Sequence, residues 1–399
     1  MQRQICYTCK DLKVGQGPSF ANNALNLKAI ADDWARFQKV SRDVIYDPRY
    51  ARMTVDDFVE EMGFSREFRQ YNLLACVSGM YFVDEYSPGS MPIREIMNYY
   101  HLQKGIGLNK KDCDQPTSHA VQASPRHYFA NGASDWIRQL ANYLQNNGVE
   151  MRLGADPKAS LNATGAWRVV SSAPRQSDRE DFDIVISAVH AETVQTVVDF
   201  GLPARLPSLL SEFRYSQSKA VVHDDPSVLP ADQSAWSTYN LKIYADNDTD
   251  RRPYFITYIE GKHHGEDINN PPFVTLMPSN LEVGGQQYEM LALPGRDRIK
   301  AVVSFRHNML SMTAVNAQQS VRELQGQNQF YLTGGWSIGV GLHEEILAMS
   351  REVAMRIRGF FVSQLHDEGY LADHPSYLPK YLRDSFVEAP ELFPPGFWD

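Results

Sequence analysis

The sequence predicts an α/β fold of two interleaved domains, one an α/β layer and the other an α+β domain built around an antiparallel sheet. Three observations lead to this expectation. A helix-period apolar stripe beginning at Trp136 gives way to strand-type runs that continue to Val189. Short β-branched and aromatic runs, separated by polar loops, occupy 219–307. A short apolar run at Phe330-Tyr331-Leu332 then passes through a glycine cluster into a second helical stripe that ends at Ile357. With 399 residues, 43% hydrophobic and 22% charged, the chain can bury one large core or two ordinary ones.

Taken in order, residues from Phe20 to about Gly107 read as helical. Ala24, Leu27, Ile30, Ala31 and Trp34 fall at helical spacing, and Thr54 with Asp57 three residues on reads as a helix cap. Pro88, Gly89 and Pro92 break this layer, and Met97, Tyr99, Tyr100 and His101 follow as a cluster that lines a pocket or, at this spacing, packs in a core. Trp136, Ile137, Leu140 and Leu144 form one helix face, which Asn147-Gly148 ends. Val149, Met151 and Leu153 alternate as in a strand, Trp167 to Ser171 reads as another, and Phe182 to Val189 is a continuous run of the kind buried on both faces. Ala220 to Val222, Tyr254 to Ile259, Phe273 to Leu276 and Ala301 to Phe305 are the expected antiparallel strands, with exposed turns at Pro271-Pro272 and Gly284-Gly285. Leu342, Ile346, Met349, Val353 and Ile357 mark one face of the last helix, and the tail with Pro390, Pro394 and Pro395 reads as a surface strap.

The totals narrow the class of partner. A formal net charge of -9 and a pI near 5.7 argue against nucleic acid and against an anionic membrane surface, both of which repel an acidic protein. No run approaches the length of apolar sequence needed for a transmembrane segment, and the start MQRQICYTCKDLKV has no apolar signal core, so the expected compartment is cytoplasmic. Cys6 and Cys9 form a C-x-x-C, while Cys76 and Cys113 supply no second pair, so ordinary thiols are expected and no metal. His263-His264-Gly265-Glu266-Asp267 lies in a polar loop and reads as a solvated turn. There is no G-x-S-x-G, H-E-x-x-H or P-loop. A small molecule is the expected partner.

The stretch Tyr331 to Ile346 concentrates glycine between a strand and a helix start. The first N–H groups of a helix lack internal partners and the macrodipole adds partial positive charge, so an anion or an electron-rich ring edge is stabilised there. Gly339 and Gly341 have no Cβ to obstruct such a group. A glycine-rich turn without a ligand is the competing reading.

Gly334-Gly335-Trp336, followed by Gly339-x-Gly341-Leu342-His343-Glu344-Glu345 and a helix containing Val353-Ala354, resembles the C-terminal flavin-binding motif of the FAD-dependent amine oxidase and phytoene desaturase superfamily. Asn131-Gly132-Ala133 with Gly148-Val149-Glu150 is similar to that superfamily's segment beside the adenine half of FAD, and Phe182 to Ala188 resembles its strand that ends near the cofactor. Phe213-x-Tyr215, Val222-His223-Asp224-Asp225, Leu229-Pro230, Trp236 and Tyr239-Asn240 are similar to one subgroup, the predicted NAD/FAD-binding amine-oxidase-like proteins. The resemblance spans most of 20–360. It implies FAD as cofactor, with Gly334, Gly335, Trp336, Gly339, Gly341, Leu342 and His343 around its ring end. Trp336 would stack near the ring or close the pocket, and His343 would hydrogen-bond flavin or substrate, or cap the helix. His223, Trp236 and Tyr239 are the substrate-pocket candidates, and no catalytic side chain is assigned, since the flavin itself carries hydride chemistry.

The resemblance further implies a Rossmann-like FAD-binding domain (126–204 and 311–365) interleaved with an α+β substrate domain (20–125 and 205–310), with 366–399 as a C-terminal tail. One part of the pattern is missing: no strand, G-x-G-x-x-G and helix open the chain, and Gly15-Gln16-Gly17-Pro18-Ser19-Phe20 places Pro18 and Phe20 where a pyrophosphate would lie. An incomplete reading frame, a partner chain supplying the dinucleotide-binding segment, and loss of FAD all account for this. The expected function is oxidation, desaturation or isomerisation of a small or lipid-like organic substrate by hydride transfer to flavin. A non-catalytic flavoprotein-like subunit or binding module is the alternative.

Overall fold

The computed structural model describes residues 27–81, 88–102, 129–171, 179–230, 233, 236, 238–243, 254–264, 269–278, 282–283, 286–287 and 294–364. Gly15 to Phe20, Cys6, Cys9, Cys113, Gly284-Gly285 and the 366–399 tail lie outside them. Helices α1 (Leu27–Tyr46), α2 (Val55–Met62), α3 (Arg66–Phe68), α4 (Leu74–Tyr81), α5 (Ile93–Leu102) and α6 (Ala133–Asn146) come first. Strands β1 (Pro157–Leu161), β2 (Trp167–Ser171), β3 (Arg179–Phe182) and β4 (Val185–Ser187) lead to α7 (Ala191–Val197), β5 (Val198–Phe200) and α8 (Leu206–Leu210). Next come β6 (Tyr215–His223), β7 (Tyr239–Ile243), β8 (Tyr254–Ile259), α9 (Glu260–His263), β9 (Phe273–Pro278), the short pair β10 (Glu282–Val283) and β11 (Gln286–Gln287), and β12 (Ile299–Asn308). The chain ends its described course with α10 (Met312–Glu323), β13 (Phe330–Leu332) and α11 (His343–Gln364).

The chain forms two compact units, Met1–Asp156 with Ser208–Gln319, and Pro157–Pro207 with Ser320–Asp399. In the first, the expected helical layer forms. Phe37, Phe58 and Phe68 are fully buried, and their rings meet Phe64 and Trp34 at centroid distances of 5.1–6.5 Å. Thr54 caps α2 as its spacing predicts: its Oγ1 accepts the Asp57 N–H at 3.1 Å, and the Asp57 carboxylate accepts the Thr54 N–H at 3.0 Å. The expected antiparallel sheet is also present, in the order β12-β6-β9-β8-β7. Helix α4 packs on it at Gly79, where a Cβ would sit 3.2 Å from Ile256 Cδ1 and 3.4 Å from Leu241 Cδ2.

In the second unit, β3-β2-β1-β5 form a four-stranded sheet and β13-β4 a separate parallel pair. Trp167 on β2 is fully buried; its indole N–H donates to Asn328 O at 2.7 Å and its ring lies 5.3 Å from that of Phe330. Met349 and Val353 of α11 pack with Tyr331, Ile338, Ile184 and Ile357, which confirms the apolar face expected for that helix. Two expected strands differ. Val149 to Leu153 forms no strand, and Leu153 is 94% exposed. Of the run Phe182 to Val189 only Val185–Ser187 makes a new strand, with Ile186 half exposed. Alternation or apolarity alone does not make a strand, because the backbone must find a ladder partner. Among the described residues β4 has one partner and 149–153 has none.

Candidate functional site

Strands β4 and β13 run parallel, in the register Phe330 to Val185, Tyr331 to Ile186 and Leu332 to Ser187. Their carboxyl ends therefore lie side by side, which is where open α/β sheets receive ligands. The ladder extends one step, since Thr333 N–H donates to Ser187 O at 3.0 Å, and Thr333 Oγ1 meets Ser350 Oγ on α11 at 2.9 Å. Ser187 Oγ is buried without a hydrogen-bond partner.

From this point the glycine loop folds on itself. Gly334 (φ +125°) ends the strand, and its carbonyl accepts both the Ser337 N–H at 3.0 Å and the Ser337 hydroxyl at 2.8 Å. Trp336 is buried, and its indole N–H donates to Val189 O at 2.9 Å. A Cβ on Gly341 (φ +78°) would overlap the carbonyl of Gly335, and one on Gly335 would stand 3.3 Å from Gly341 O. A Cβ on Gly339 would overlap the Glu345 carboxylate. Glu345 is 1% exposed and its Oε2 accepts the Leu342 N–H at 3.0 Å, half of a capping box at the start of α11. His343 is exposed at the surface of the first turn.

These contacts give the glycines an immediate reason that differs from the expected one. Gly335 and Gly341 clear room for each other's backbone and Gly339 clears room for Glu345, so the small residues serve the loop's own closure. Sequence reasoning assigned no role to Glu345, although a glutamate three residues past the cap position is the usual capping partner. Ser187 was also missed, because an orphaned hydroxyl is visible only in three dimensions.

The substrate-pocket candidates lie in the first unit. His223 is fully buried on β6: its Nε2 meets Thr275 Oγ1 at 2.8 Å, and its Nδ1 accepts the Asp225 N–H at 3.1 Å. Burial pushes its pKa below the ordinary 6.5, against the opposing pull of the Asp225 and Asp224 carboxylates. Thr275 Oγ1 in turn meets Thr257 Oγ1 at 2.9 Å, and Asn240 donates to Thr257 O at 3.2 Å, so buried polar groups cross β6, β9, β8 and β7 in file. Trp236 is buried with its indole N–H on Pro230 O at 2.7 Å, and its ring meets Phe273 edge-on at 5.8 Å. Phe273 also lies 5.7 Å from the His223 ring, so His223 and Trp236 share one cluster. Tyr239 does not join them. It pairs with Tyr258, one register step from the Asn240–Thr257 pair, and therefore points to the other face of the sheet.

Among the described residues no group of three His, Cys, Asp or Glu side chains could hold a metal ion, and no helix is long and apolar enough to cross a membrane. For a flavin, the fit is divided. The carboxyl ends of β4 and β13 offer the orphaned Ser187 hydroxyl, but the start of α11 does not fit a ring edge in this conformation, because the Leu342 N–H is bound by Glu345 and the glycine cradle is filled.

No protein-family model matches the chain, and no curated protein matches it. Its fold does match solved structures. One is a fatty acid isomerase from P. acnes that produces CLA, at TM-score 0.53 and 11% identity, with 89% of this chain and 80% of the isomerase covered. A putrescine oxidase variant from a redesign of cofactor binding matches at TM-score 0.52 and 11% identity, with 90% and 82% covered. Reduced UDP-galactopyranose mutase matches at TM-score 0.51 and 11% identity, with 90% and 78% covered. At such identities the likeness is one of fold.

Proposed function

We propose that this chain is an FAD-dependent oxidoreductase of the amine oxidase type, acting on a small or lipid-like organic substrate by oxidation, desaturation or isomerisation. The observation that supports it most is the junction of parallel β4 and β13 with the glycine loop and α11, in a fold shared with an oxidase, an isomerase and a mutase. When bound, a flavin supplies a hydride acceptor. The chain's own residues supply the frame around it. Ser187 would offer its hydroxyl, the Thr333–Ser350 bond fixes the start of the loop to α11, and buried Trp336, Ile338 and Val340 keep water from the loop's inner side. In the first unit, His223 and Trp236 stay the substrate-pocket candidates, with His223 neutral at physiological pH because of its burial.

A second reading is favoured by one observation, the closure of the glycine loop on Gly335, Gly341 and Glu345. In that reading the chain is a flavoprotein-like subunit or binding module that holds FAD only with a partner supplying a dinucleotide-binding segment. Two measurements separate the readings. The absorption spectrum of the purified protein, before and after incubation with FAD and gel filtration, tests cofactor retention. Loss of the flavin bands under anaerobic conditions on adding candidate amines or unsaturated fatty acids tests turnover. Retention with substrate bleaching supports the enzyme, and a colourless protein after FAD incubation removes it.

A further inference from the structure

We propose that α6 and the segment after it, Ala133 to Leu153, form an interface between two copies of this chain. Helix α6 is amphipathic, yet none of its residues is buried. Trp136, Ile137, Leu140 and Leu144 lie along one side of it, and Ile137 and Leu140 leave 56% and 42% of their surface in solvent. Gly148 (φ +89°) turns the chain out of the helix, and Val149 and Leu153 beyond it are exposed as well. Val149 to Leu153 alternates as a strand does but joins no sheet among the described residues. An uncovered apolar helix face followed at once by a strand-patterned segment outside any sheet is a surface suited to burial against protein.

Charge complementarity selects a second copy as the occupant. In Val149-Glu150-Met151-Arg152-Leu153 an acid and a base flank the central residue, with apolar residues at the centre and both ends. Two such segments paired antiparallel about Met151 set Glu150 of each copy opposite Arg152 of the other, and Val149 opposite Leu153. The Val149 N–H is held by Leu144 O at 3.0 Å, so the ladder bonds fall on 150 and 152. Within one chain Arg152 Nε already donates to Glu150 Oε1 at 2.6 Å, so pairing exchanges one ion pair per chain for one across the axis while it covers apolar surface. The two-fold axis of an antiparallel pair stands perpendicular to the ribbon, which leaves both α6 helices on the same face, where each can cover the other's stripe. From Phe129 to Leu153 Asp135 and Glu150 balance Arg138 and Arg152, so the patch is neutral on a chain of net charge -9. Copies therefore meet there without local repulsion.

The experiment is sedimentation velocity over a concentration series, on wild type, Glu150→Arg, Arg152→Glu, the double variant with both reversals, and Leu140→Glu. The three positions are exposed, so each variant should keep the wild-type circular dichroism spectrum. No flavin enters the measurement, which keeps its outcome separate from that of the function proposed above. Wild type should sediment as a dimer that dissociates on dilution. Each single reversal sets like charges against each other across the axis and should weaken self-association about tenfold or more. Mixing the two single variants in equal amounts should restore the dimer, and so should both reversals in one chain, because acid then faces base again. Leu140→Glu should weaken the dimer with no such rescue. A wild type that stays monomeric at every concentration, a dimer indifferent to the single reversals or to Leu140→Glu, or no recovery in the mixture and the double variant, would overturn the inference.

Discussion

His223 Nε2 lies 2.8 Å from Thr275 Oγ1, and the direction of that bond follows from the other side of the ring. Because Nδ1 accepts the Asp225 N–H, the neutral imidazole carries its proton on Nε2 and donates it to Thr275. The Thr275 hydroxyl is then free to donate to Thr257 Oγ1 at 2.9 Å. Thr275→Val keeps the shape and removes the acceptor, which leaves a buried N–H without a partner. The expected cost is about 1–3 kcal/mol, measured by urea unfolding at pH 7.5.

The same histidine sets a pH dependence. Burial lowers its folded pKa below 6.5, so the unfolded chain binds the proton more readily than the native one. Its contribution is fully present above pH 6.5 and is lost as pH falls from there toward the folded pKa. Asp224 and Asp225 face it and stay ionised through this window. Asp224 is held below the ordinary 3.8 mainly by its hydrogen bond to Lys300; at Asp225 burial pushes upward, but the Gly295 and Ser227 N–H groups outweigh it. Urea midpoints at pH 7.5 and 5.5 should therefore differ less in His223→Gln than in wild type. Equal slopes in the two proteins would remove His223 as the cause.

At α2, Thr54→Ala removes the hydroxyl half of the capping box and leaves the backbone N–H of residue 54 on the Asp57 carboxylate. We expect a loss of about 1 kcal/mol of stability. The Asp57 carboxyl, held below 3.8 chiefly by the Thr54 hydroxyl, should titrate at higher pH in the variant. Carboxylate chemical shifts across an acid titration would show this.

The glycine loop makes the sharpest contrast between two substitutions. Gly341→Ala drives a Cβ into the Gly335 carbonyl at a positive φ, and backbone cannot swing aside, so a loss above about 3 kcal/mol is expected. Gly132→Ala also meets a positive φ, +81°, but has open space around it, and should cost about 1 kcal/mol. Differential scanning calorimetry of both variants tests the difference.

Arg322 is buried and grips Glu352 through Nε at 3.0 Å and Nη2 at 2.6 Å, while Arg356 holds the same carboxylate from the next turn of α11. Arg322→Ala leaves that carboxylate largely buried with one partner. A loss of about 3 kcal/mol is expected in chemical unfolding.

Much of this architecture can be read from residue patterns, where the pattern is local. Thr54 with Asp57, Gly148 after the α6 stripe, and the Met349–Val353–Ile357 face of α11 depend on neighbours a few residues away, and all appear in the structure. The β-rich runs of 219–307 also became strands, because each found partners on the sheet. Val149 to Leu153 shows the same alternation without a partner and stays irregular. The sequence reading did not pick out β7 as a strand, although Tyr239 to Ile243 pairs along its whole length with β8. At the candidate site, the strand, glycine and helix order was legible, but the identity of each glycine's neighbour was not. Gly335 and Gly341 meet across the loop, and only folding brings Glu345 back against Gly339.

The bond from Trp336 Nε1 to Val189 O fastens the glycine loop to the chain just beyond β4. Neither piece can swing outward alone without stranding a buried indole proton. Opening of the loop is thus geared to the end of a strand more than a hundred residues earlier, and the emission of this one tryptophan would sense any visitor to either.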